Sequence, residues 1–151
     1  DATDPASRVR LGILRASAMA LKTLLDDVLD FARIEAGRLD IAPAVFAPRA
    51  LFEDAVNLFA AAAAERGNTL LLWAETLPDR ILADAGRIRQ VLLNLVGNAV
   101  KFTENGEIRI EAGVEPEGTE LWFTVQDTGI GLSEAARASL FEAFGHVPDP
   151  D

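Results

Sequence analysis

Residues 84–102 read DAGRIRQVLLNLVGNAVKF, and this stretch decides the architecture. At 100 degrees per residue, Arg87, Gln90, Asn94, Asn98 and Lys101 fall within about 40 degrees of one line. Val91, Leu95, Ile88, Ala99, Leu92, Val96, Val100 and Leu93 take most of the remaining arc. The pattern predicts a helix buried around most of its girth, with one narrow polar stripe and Asp84 as its N-cap. A solvated strip is ordinarily filled by strong helix formers such as Glu and Lys, whereas two asparagines one turn apart cost helix propensity. Asparagine offers an acceptor and donors without charge, which suits a metal ion or a polyphosphate in a crevice. Lys101 adds a point charge for phosphate.

Downstream, Asn105-Gly106 is a turn signal that opens a hairpin of period-2 alternation. Ile108, Ile110, Ala112 and Val114 share one face of its first strand, and Leu121, Phe123 and Val125 share one face of the second, with Glu115 to Gly118 between them. The second strand ends in Asp127-Thr128-Gly129-Ile130-Gly131, and Ser133 then caps a last helix expected to reach Phe144. A carboxylate at the end of a buried strand can accept hydrogen bonds from a ligand, and glycines let that ligand approach the backbone. The same residues also make an ordinary strand-to-helix turn. Gly-Lys-Ser/Thr is absent, which excludes a Walker loop, and no strand leads into Gly-x-Gly-x-x-Gly, which leaves dinucleotide binding without support.

Upstream, residues 48–66 read as a helix closed by Gly67, followed by a strand from Thr69 to Ala74 and a short extended piece at Ile81 to Ala83. From Ser7 to Arg38, Leu11, Leu14, Ala18, Leu21, Leu25, Val28 and Ala32 recur at alternating spacings of three and four, the seam of a coiled coil or bundle. A second stripe through Leu24 and Phe31 predicts more than one neighbour, as in a four-helix bundle. Gly37, Pro43 and Pro48 punctuate a connector, so residues 1–40 are expected to form a helical arm and residues 41–151 a separate domain.

The chain has 151 residues, 24 acidic against 14 basic, for a formal net charge of −10. That balance opposes binding to phosphodiester backbones, so nucleic acid is not an expected partner. With no cysteine there is no disulfide framework, thiol nucleophile or thiolate zinc site. No apolar run approaches the roughly 18 residues of a membrane span. The chain begins at Asp1 and reads as a fragment of something longer, expected to be cytoplasmic even if its parent is membrane-anchored.

Taken together, Asn94-Leu-Val-Gly-Asn98-Ala-Val-Lys101-Phe102-Thr103, then Asp127-Thr-Gly-Ile-Gly131, then Phe141-Glu-Ala-Phe144 resemble the N, G1 and F boxes of sensor histidine kinases, in order and at familiar spacing. Leu29-Asp-Phe-Ala-Arg-Ile-Glu-Ala-Gly-Arg-Leu39 is similar to the end of that family's second dimerisation helix. The resemblance implies an α+β fold: the two-layer α/β sandwich of the Bergerat or GHKL ATP-binding type, preceded by a long coiled-coil-like helix. It implies that Asn98 coordinates Mg²⁺, that Asn94 and Lys101 contact the phosphates of ATP, and that Asp127 receives the adenine amino group. Gly129 and Gly131 would shape the adenine pocket and the start of a lid, with Phe141 and Phe144 counted among the ATP-binding residues. Hydrolysing relatives carry Glu where Asn94 stands; asparagine cannot serve as that base, so the resemblance favours phosphoryl transfer. The expected partners are a second copy through the N-terminal helix and the receiver domain of a response regulator.

Two departures from the family pattern stand out. The His-Glu/Asp-Leu-Arg box that bears the acceptor histidine is absent, and the single histidine, His146, lies beyond the last expected helix. The chain also ends before a second glycine box. These features imply an ATP-binding fragment whose acceptor histidine is supplied elsewhere, the alternative being a degenerate, non-catalytic dimerisation and signalling module.

Overall fold

The structure is a computed structural model that describes residues 5–38, 40–118 and 120–139. The chain divides into two compact units, residues 1–41 and 42–151. In the first, α1 spans Pro5–Glu35 and carries the sequence-predicted seam. Leu11, Leu14, Leu21, Leu25 and Val28 are all more than half exposed, so these seam side chains stand uncovered among the described residues. The helix closes with backbone N–H groups of Gly37 and Arg38 donating to the Ile34 and Arg33 carbonyls at 2.9 and 2.8 Å. Gly37 adopts φ +63, the left-handed conformation such a helix end requires.

The second unit contains β1 (Ala44–Phe46), α2 (Pro48–Glu65), β2 (Thr69–Trp73), β3 (Ile81–Ala83), α3 (Ala85–Phe102), β4 (Glu107–Val114), β5 (Leu121–Asp127) and α4 (Glu134–Ser139). β2 runs parallel and β5 antiparallel to the central β4, giving a mixed sheet of order β2-β4-β5. Alternation on β4 turns Ile108, Ile110 and Ala112 inward. They meet Leu51, Phe52 and Ala55 of α2 and Leu92, Val96, Ala99 and Val100 of α3 in one core, and the Phe52 and Phe123 rings meet edge to face at 5.6 Å. Helices on one face of a mixed sheet make the expected two-layer α+β sandwich. Among the described residues, no helix is long and apolar enough to cross a membrane.

Two expectations need correction. The connector hides a strand: β1 pairs antiparallel with β3, Val45 opposite Leu82, as a separate two-stranded sheet. Its three residues lie between two prolines, and only pairing with a segment some 37 residues on makes them a strand, which no local pattern announces (Val45 to Leu82). The helix of residues 85–102 is also less enclosed than its pattern predicts. Val91 is 51% and Leu95 43% exposed, because the apolar arc exceeds what α2 and the sheet cover and its edge beside the polar stripe stays in solvent.

Candidate functional site

Local chemistry fixes both ends of α3. At the start, Asp84 Oδ1 accepts from the Arg87 N–H at 3.1 Å, a cap that satisfies one of the helix's orphan donors. Its Oδ2 accepts from the Ala42 N–H at 3.0 Å. The bond from Ala42, then that from Arg87, holds the Asp84 carboxyl below the usual carboxylate range.

Along the exposed face, Asn94, Asn98 and Lys101 point to solvent, while Arg87 Nη1 donates to Gln90 Oε1 at 3.0 Å. Among the described residues, neither asparagine side chain makes a hydrogen bond, so their amide groups stay open to a ligand. Lys101 Nζ sits 4.7 Å from the Phe102 ring centroid, toward the helix C-terminus. At 1.5 Å per residue, Asn98 and Asn94 stand about 6 and 12 Å back along the axis from Phe102.

The C-terminal end of α3 meets the end of β5. The Ile130 N–H donates to the Phe102 carbonyl at 3.3 Å. Asp127 Oδ1 accepts from the Gly129 N–H at 2.8 Å and from the Thr103 hydroxyl at 3.4 Å. Thr128 fastens the strand end to β4: its N–H donates to the Glu107 carbonyl at 3.1 Å, and its Oγ1 accepts from the Glu107 N–H at 2.9 Å. A Cβ on Gly129 would strike the Phe102 carbonyl and lie 2.8 Å from both Asp127 Oδ1 and Thr103 Oγ1, so only glycine fits there. Gly131 adopts φ +69 with open space around it.

The carboxylate expected to be buried is exposed: β5 is the outer strand of its sheet and, among the described residues, pairs with β4 alone. The Ser133 cap forms, its Oγ accepting from the Ala136 N–H at 3.1 Å, and α4 is described to Ser139. Phe141, Phe144 and His146 lie outside the described residues.

Two further side chains position the site without a local signal in the sequence. Asn68, 8% exposed, donates to the Thr103 carbonyl at 2.8 Å and accepts from the Gly106 N–H at 3.0 Å, stapling the turn that joins α3 to β4. Arg66 Nε also donates to that carbonyl at 3.2 Å. Thr103 is fully buried. In sequence Asn68 follows Gly67 and looks like an ordinary turn residue; nothing local signals a partner 35 positions later.

A family profile described as "Histidine kinase-, DNA gyrase B-, and HSP90-like ATPase" matches residues 83–149, from the last residue of β3 to beyond α4. The virulence sensor protein BvgS of Bordetella parapertussis is 44% identical over 134 residues, 87% of this chain and 11% of that protein. The signal transduction histidine-protein kinase BarA of Escherichia coli K12 is 36% identical over 144 residues, 93% of this chain and 16% of its own length. Among solved structures, full-length ShkA in complex with AMPPNP superimposes with a TM-score of 0.76 at 39% identity, covering 95% of this chain and 31% of that one. The chain thus spans between a tenth and a sixth of these two curated relatives' length.

Proposed function

This chain belongs to the sensor histidine kinases and carries their GHKL-type ATPase fold, and we propose from that premise that it binds Mg-ATP for phosphoryl transfer to a histidine outside this chain. The observation that carries the proposal is the junction of an open Asn94-Asn98-Lys101 stripe with the glycine-only space beside Asp127. ShkA, alike in fold and sequence, was solved with an ATP analogue.

The residues present fit a magnesium nucleotide. The amide oxygen of Asn98 is a hard, neutral ligand, and no cluster of three or more His, Cys, Asp or Glu among the described residues could hold a metal alone. Asn98 would hold a Mg²⁺ together with the nucleotide's phosphate oxygens, and the ion would offset the phosphates' charge. Lys101 holds phosphate by charge, Asn94 orients it by hydrogen bonding, and Asp127 accepts from the adenine amino group. Asn94 cannot deprotonate water, so the site favours transfer to a protein group over hydrolysis. His146, outside the family's acceptor motif, is not that group. A second copy through α1 and a response-regulator receiver domain complete the proposed assembly.

Displacement of a fluorescent ATP analogue by ATP and GTP tests the base assignment. Guanine would set a carbonyl oxygen against Asp127. Because the carboxylate is exposed, the mismatch costs about 1 kcal/mol, the low end for an unpaired polar group, or roughly fivefold in favour of ATP. Asp127→Asn should narrow the gap. Equal displacement by both nucleotides in the unmodified chain would reduce Asp127 to a turn residue.

A further inference from the structure

Asp127 has two carboxylate oxygens, and the structure treats them differently. Oδ1 is engaged by the Gly129 N–H and the Thr103 hydroxyl, whereas Oδ2 makes no hydrogen bond among the described residues. Thr103 is fully buried, so its hydroxyl has no water to turn to, and Asp127 Oδ1 is the acceptor it reaches among the described residues. The backbone of Thr103 is itself held: its carbonyl takes bonds from Asn68 Nδ2 and Arg66 Nε, and the chain there is extended at φ −112, ψ 137. The space where the donors meet Oδ1 is so tight that a Cβ on Gly129 would lie 2.8 Å from both oxygens.

From this geometry we propose that Thr103 is a positioning and specificity-determining residue, whose hydroxyl locks the Asp127 carboxylate in one rotation with Oδ2 presented to the exocyclic amino group of a purine. The inference rests on the nucleotide reading above. A carboxylate held by a single donor can swing about its χ2 torsion, which is broad and nearly two-fold for Asp, and then offers either oxygen at varying angles. A second donor fixed in the core removes that freedom before the ligand arrives, so the amino group meets a preorganised acceptor. Thr103 touches no substrate atom and acts only through Asp127.

The test compares affinities of the whole chain for ATP and for ITP, which carries a carbonyl in place of the amino group. The unmodified chain should prefer ATP by about fivefold. Thr103→Val keeps size and burial but removes the hydroxyl, and should cut that ratio by about threefold; Thr103→Ser should restore it. A role in stability alone would lower affinity for both nucleotides together and leave the ratio unchanged. If Asp127→Asn lowers the ratio but Thr103→Val does not, the inference fails while the nucleotide reading stands. If the unmodified chain binds neither nucleotide, the nucleotide reading fails and the inference with it. Should Thr103→Val not fold, the wild-type chain decides by magnetic resonance. A slowly exchanging Thr103 hydroxyl proton close to the Gly129 amide is expected, and a rapidly exchanging one would overturn the assignment.

Discussion

Replacing Asn68 by alanine should destabilise the second unit more than most substitutions of a small polar residue. Two bonds disappear from a site that is 8% exposed: Nδ2 to the Thr103 carbonyl at 2.8 Å and the Gly106 N–H to Oδ1 at 3.0 Å. Their consequences differ. The Thr103 carbonyl keeps the Arg66 guanidinium, so its loss is a net hydrogen bond of about 1 kcal/mol. The Gly106 N–H is left without a protein acceptor in a part-buried turn, which costs roughly 1–2 kcal/mol more. The sum, about 2–3 kcal/mol, is a large fraction of the ~5–15 kcal/mol that holds a typical domain. Urea unfolding followed by fluorescence of Trp73 and Trp122, both in the second unit, reads it directly. With a slope of about 2 kcal/mol/M, the midpoint should fall by roughly 1 M at unchanged slope. Asn68→Asp keeps the acceptor for Gly106 but sets an oxygen against the Thr103 carbonyl, and should be no more stable than the alanine variant. A midpoint shift below about 0.3 M for Asn68→Ala would refute the view that this side chain staples the turn.

Acid should weaken the start of α3. The Asp84 carboxyl is held below its ordinary value of 3.8 by the Ala42 N–H and then by the Arg87 N–H, so its stabilising effect is complete above that value and is lost as pH falls through the lower folded value. Asp84→Asn should flatten the loss of stability below pH 3.8; identical acid titrations of the two proteins would count against it. Gly129→Ala should abolish measurable nucleotide affinity and destabilise the unit by about 1–3 kcal/mol, since its Cβ would strike the Phe102 carbonyl; undiminished ATP binding by this variant would show that the space is not used. Light scattering should find the chain self-associated through α1 and dissociated by Leu21→Glu with Leu25→Lys, whose parent side chains are 59% and 55% exposed; a strictly monomeric unmodified chain at high concentration would contradict this.

The strongest periodicities in the sequence were legible because each is read over a single contiguous stretch. The alternation of Ile108, Ile110 and Ala112 specifies the inner face of β4 wherever one side is buried, and the seam from Leu11 to Ala32 specifies α1 over about six turns. Asp84 announces its cap by type and position. What escaped depends on partners distant in the chain. Ala44–Phe46 is a strand only beside Ile81–Ala83, and Asn68 matters only because the fold brings it to Thr103 and Gly106. Angular arithmetic placed the stripe of Asn94, Asn98 and Lys101 but could not tell that Val91 and Leu95 would remain uncovered, since the width of a buried arc is set by its neighbours. For Asp127 the apolar strand suggested burial, and the strand's position at the sheet edge decided otherwise.

The most direct test of the central claim is a pair of calorimetric titrations of the chain with ATP, with magnesium and with the metal chelated, repeated on Asn98→Ala. Asn98 is proposed to act at the metal and Asp127 at the base. The unmodified chain should therefore bind ATP more tightly with magnesium, and Asn98→Ala should lose about a factor of 10 in the magnesium titration while matching the unmodified chain without it, the size expected when a hydrogen-bonding or ligating group of about 1.4 kcal/mol is removed. Affinity that is the same with and without magnesium in the unmodified chain, or that Asn98→Ala leaves untouched, would contradict the claim that the stripe on α3 holds a magnesium nucleotide.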